Sequence, residues 1–85
     1  MTMQDLIDKI IAELDKYGMQ APEEHKAFWR MMKHGIRNLE SSKDQIDVLS
    51  RLAGLFLDIE NQGFQHQADL LKDSLVRYLA SLNVK

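Results

Sequence analysis

The sequence predicts an all-α protein, a small four-helix bundle built from two antiparallel helical hairpins. Apolar residues recur at helical spacing in four blocks. Nothing alternates with period two and β-branched residues are few, so strand signals are missing. The breaks between blocks are short and hold glycine, proline or serine, which makes neighbours in sequence pack together.

The first block runs from Met3 to Tyr17. Leu6, Ile7, Ile10, Ile11, Leu14 and Tyr17 share one face, and Gly18 reads as the C-terminal stop. This helix is expected to be the loosest of the four. The second block opens at Pro22, with Glu23 and Glu24 suiting the positive end of the helix dipole, and reaches Leu39. The third starts after Ser42, which with Gln45 reads as the capping box "SKDQ", and stops at Gly63. The fourth runs from Gln65 to Leu82, with Ala68, Leu71, Leu75, Tyr78, Leu79 and Leu82 on its apolar face. A faint echo links "LDKYGMQ" (Leu14 to Gln20) with "IENQGFQ" (Ile59 to Gln65). Two hairpins of similar build, or the common look of glycine stops, would account for it.

The 85 residues form one domain, 1–85, with no linker or low-complexity segment. Apolar residues make up 45% of the chain, enough for an ordinary core. Cysteine is absent, which removes disulfides, thiolate metal sites and cysteine nucleophiles and fits a reducing cytoplasm. No apolar run approaches a membrane span, and the N-terminus does not read as a secretory signal. The net charge of −2 gives no general pull toward nucleic acid or a membrane surface.

The stretch "AFWRMMKHGIRNLESS" (Ala27 to Ser42) holds the only tryptophan, two adjacent methionines and a histidine. At about 100° per residue, Phe28, Met32, Gly35, Ile36 and Leu39 fall on one side. Lys26, Arg30, Lys33 and Arg37 fall on the other, spaced four, three and four. Four bases and two acids give residues 22–39 a local charge of +2, so the rest of the chain carries −4. The spacing therefore predicts a basic ridge, with Trp29 at its edge, that docks an acidic protein surface. Unaccompanied by any DNA- or RNA-binding motif, four bases argue against nucleic acid.

The third block is apolar over more than half its circumference. Ile46, Leu49, Ala53, Phe56 and Leu57 form one stripe; Val48, Leu52, Leu55 and Ile59 form a second. One core covers one face, so the second stripe is expected to be a homodimer interface.

No catalytic constellation is found, and no metal or cofactor is expected. No histidine follows an acid at three positions, and no two stand at i, i+4. "HGIRN" (His34 to Asn38) resembles the phospho-accepting stretch of histidine-containing phosphotransfer domains, themselves four-helix bundles. Ile36 and Arg37 match the aliphatic and basic residues that follow the histidine there, whereas Asn38 stands where a glycine is usual. That resemblance implies His34 as a phospho-acceptor. The expected function is a small non-enzymatic adaptor or regulatory protein. The alternatives are a phosphotransfer module using His34 and an oligomeric structural component.

Overall fold

The computed structural model describes residues 2–82. Four helices follow in order: α1 (Met3–Gln20), α2 (Glu23–Asn38), α3 (Gln45–Asn61) and α4 (Gln65–Leu82). One turn of 3₁₀ helix, Leu39–Ser41, extends α2. Among the described residues there is no strand. α1 packs on α2 and α3 on α4, giving two hairpins, and the hairpins meet chiefly through α1 and α4. The result is an elongated small bundle, 44 × 25 × 20 Å.

Local chemistry sets the helix ends. Thr2 and Asp5 form a reciprocal capping box at α1, each side chain accepting the other's backbone N–H at 3.1 and 3.0 Å. The backbone N–H of Thr2, followed by its hydroxyl, holds the Asp5 carboxyl below the usual carboxylate range. α1 does not stop at Gly18 but continues to Gln20. Gly18 instead lies against the Cβ of Trp29, in ordinary contact distance of where its own Cβ would be.

α3 starts two residues later than the "SKDQ" reading placed it. Its N-cap is Asp44, whose Oδ1 accepts from the N–H groups of Ile46 and Asp47 at 3.0 and 3.3 Å. Ser42 serves the turn before it, its Oγ accepting from Asp44 N–H at 3.4 Å. The far end of α3 is a Schellman stop. Gly63 takes φ +97°, Gly63 N–H donates to Glu60 O at 3.0 Å, and Phe64 N–H donates to Ile59 O at 3.2 Å. Only the second half of the internal echo is thus a glycine stop, and the two segments are not a structural repeat.

A single apolar cluster draws on all four helices. α1 is its largest contributor, with Leu6, Ile7, Ile10, Ile11, Leu14 and Tyr17 all buried, and so is not the loose element. α4 contributes Ala68, Leu71 and Tyr78, with Leu75 packed beside them, while Leu79 and Leu82 lie outside. Burying a large aliphatic side chain contributes on the order of 1.5–3 kcal/mol, so α1 anchors the bundle.

α3 requires a correction. Val48, Leu52 and Ile59 are 2%, 0% and 1% exposed, and Leu55 is half-buried. The stripe expected to form a homodimer interface is therefore core. α3 lies between α2 and α4, and the arc bearing these residues is the one that faces the bundle interior. Of the other stripe, Phe56 joins the core and Leu49 is half-buried, while Ile46, Ala53 and Leu57 point outward.

Candidate functional site: the cationic edge of α2

Trp29 decides how α2 is rotated. It is 3% exposed, so it packs as a core residue. Its ring packs on Tyr17, Phe28 and Phe64 with centroids 5.4, 5.2 and 4.9 Å away. With Trp29 joining Met32 and Ile36 inside, the buried arc of α2 turns toward the bases. Lys26 and Lys33 stand three before and four after Trp29 and so flank it. The ridge consequently runs along the α1 side of the helix, not directly behind the apolar face.

Three of the four ridge cations are engaged within the chain. Lys26 Nζ donates to Gly18 O at 3.2 Å, satisfying a carbonyl in the last turn of α1, where no basic residue is present. Lys33 pairs with Asp15 of α1 at 2.7 Å. Arg37 pairs with Glu40 at 3.6 Å. These pairs are partly exposed and contribute at most about 1 kcal/mol each. Arg30 is exposed, and alone of the four has no such partner among the described residues.

A groove of about 210 Å³ opens beside Arg30. Leu14, Asp15, Gly18 and Met19 of α1 form one wall; Lys26, Trp29 and Arg30 of α2 form the other. Met19 is 80% exposed, the most exposed large apolar side chain among the described residues. The site thus sets a flexible apolar group beside two cations. The sequence reading missed Met19, because continuation of α1 past Gly18 is what brings it to the groove.

A second groove, of about 450 Å³, separates α2 from α3. Gly35, Asn38 and Leu39 face Arg51, Gly54, Leu55 and Asp58 across it. Gly35 has a packing reason, since a Cβ there would come within 3.3 Å of Leu55 Cδ2.

His34 is exposed on the outer side of α2, while Ile36, two residues on, is 1% exposed and belongs to the core. Asn38, one turn after His34, is also exposed. His25 is half-buried and meets Phe64 edge-on with centroids 5.3 Å apart; His66 is exposed. No group of three or more His, Asp or Glu side chains among the described residues could hold a metal ion. No described helix is long and apolar enough to cross a membrane.

No protein-family model matches the chain, and no curated protein or solved structure is significantly similar to it.

Proposed function

We propose that the chain is a non-enzymatic protein-binding module, a small adaptor or regulatory protein of the cytoplasm, that takes an acidic partner along the cationic edge of α2. The observation that carries this reading is Arg30, exposed and without an ion-pair partner among the described residues, on the rim of a groove that also presents Met19 and Lys26. Methionine adapts to irregular partners, and arginine offers a planar fork for carboxylates. Together they suit an acidic segment with apolar residues on one face, laid between α1 and α2. Nucleic acid is a poorer fit, because the chain is negative overall and no nucleic-acid-binding motif accompanies the ridge.

Selection from a random-peptide display library tests this. Trp29, the only tryptophan, lines the groove and reports binding by its fluorescence. Selected peptides are expected to be rich in acids beside apolar residues. Their affinity should fall as salt rises, since exposed charges are screened over about 8–10 Å near physiological ionic strength. Arg30→Glu should leave circular dichroism unchanged and weaken binding by more than about tenfold, because it replaces attraction by repulsion. Peptides with no acidic bias, or affinities indifferent to both salt and Arg30→Glu, would overturn the proposal.

A further inference from the structure

The groove between α2 and α3 contains a glycine that the fold does not explain. Gly54 lies inside α3, where glycine weakens a helix relative to alanine. Packing does not require it, because a Cβ there would meet nothing within 4 Å. Backbone geometry does not require it either, since among the described residues only Gly63 takes a positive φ. Gly35, on the other wall, is accounted for by Leu55; Gly54 is not. At about 450 Å³ the groove falls within the range of small-molecule clefts.

Its lining combines apolar surface with one unmatched charge. Leu39, 3% exposed, and half-buried Leu55 supply the apolar part. Two charged side chains line it. Arg51 is matched by Asp47 at 3.0 Å. Asp58 stands seven residues further along α3, about 10 Å at the helical rise. It is exposed and has no ion-pair partner among the described residues. One turn to either side of it on α3 are Gly54, Leu55, Asn61 and Gln62, none of them basic. The opposite wall, Gly35, Asn38 and Leu39, carries no charge.

Independently of the α1–α2 groove, we infer that this groove binds a small organic ammonium ion with an apolar, ring-bearing body. The ammonium meets the Asp58 carboxylate. The apolar body covers Leu39 and Leu55 and lies against the bare backbone of Gly54, in space that any side chain there would fill. Burial of the body supplies most of the affinity, and Asp58 selects the sign of the charge. An anionic ligand would meet Asp58 with repulsion, and Arg51, already matched by Asp47, gives it little in return.

Nuclear magnetic resonance titration of the isotopically labelled full chain tests this. The probes are naphthylmethylammonium, its neutral counterpart naphthylmethanol and the anion naphthylacetate. The ammonium should give saturable shifts centred on the Gly35 and Gly54 amides. It should bind about three- to fivefold more tightly than the alcohol, which is as much as an exposed ion pair supplies. Asp58→Asn should remove that preference while circular dichroism stays helical. Gly54→Leu should raise the melting temperature, because leucine favours a helix, yet weaken binding at least about tenfold by filling the groove. The inference is overturned if millimolar ammonium gives no saturable shift at the two glycines, or if the alcohol or the carboxylate binds as tightly. It is also overturned if Gly54→Leu binds like wild type or unfolds.

Discussion

Tyr17 shows how much one atom can oppose an otherwise well-made core. Its ring is 6% exposed and packs on Trp29, yet its hydroxyl is buried without a hydrogen-bond partner. A buried polar group left unpaired costs about 1–3 kcal/mol. Burial pushes the hydroxyl's pKa far above the ordinary tyrosine value, and the neighbouring Glu13 carboxylate adds to the shift. Tyr17→Phe keeps the ring and removes the liability. It should raise stability by about 1 kcal/mol, seen as a melting temperature about 4–8 °C higher. The pH dependence follows from the raised pKa. The folded state resists ionisation, so this component of stability is intact below the unfolded tyrosine pKa of 10.0 and is lost as pH rises above it. Tyr17→Phe should therefore flatten the alkaline part of a denaturation series. A lower melting temperature in the variant would mean that the hydroxyl is satisfied after all. The sequence marked Tyr17 as an inward residue, but a helical period says nothing about where a hydroxyl finds its acceptor.

At the level of elements, existence was legible and ends were less so. Apolar periodicity marked all four helices, and Gly63 was readable as a stop because a left-handed residue after a helix favours glycine. Gly18 looked the same in sequence but lies inside a helix, where the approach of Trp29 gives it a different role. The start of α3 was read at Ser42, whereas the side chain that reaches the free N–H groups is Asp44. Asp44 reaches two of them, and its charge also suits the positive end of the dipole. Asp44→Ala should cost about 1 kcal/mol, within the usual span for losing a cap. Ser42→Ala removes only a long contact to Asp44 N–H and a 3.5 Å contact to Asp47, and should cost less. Urea denaturation of both variants orders them, and a larger loss for Ser42→Ala would return the cap to Ser42.

For the whole molecule, what the sequence left open was the rotation of each helix about its axis. α2 turned toward its bases because Trp29 is core, which left Arg30 as the ridge residue without an ion-pair partner among the described residues. α3 was harder, because two adjacent apolar stripes satisfy the same period. Either could face inward, and only the neighbours on both flanks decide. With α2 on one side and α4 on the other, Val48, Leu52 and Ile59 go inside, and Ile46 and Leu57 are left out. This rotation makes opposite predictions for two leucines five residues apart. Leu52 is fully buried, so Leu52→Ala removes apolar atoms from a packed site and leaves a cavity, at a cost of about 2–5 kcal/mol. A small domain has only about 5–15 kcal/mol in total, so this variant should be close to unfolding. Leu57 is 53% exposed, and Leu57→Ala should change the stability of the monomer by less than about 1 kcal/mol. Denaturation in urea at a concentration where the chain is monomeric separates this effect from association. Similar losses for both variants would mean that α3 is turned with Leu57 inside.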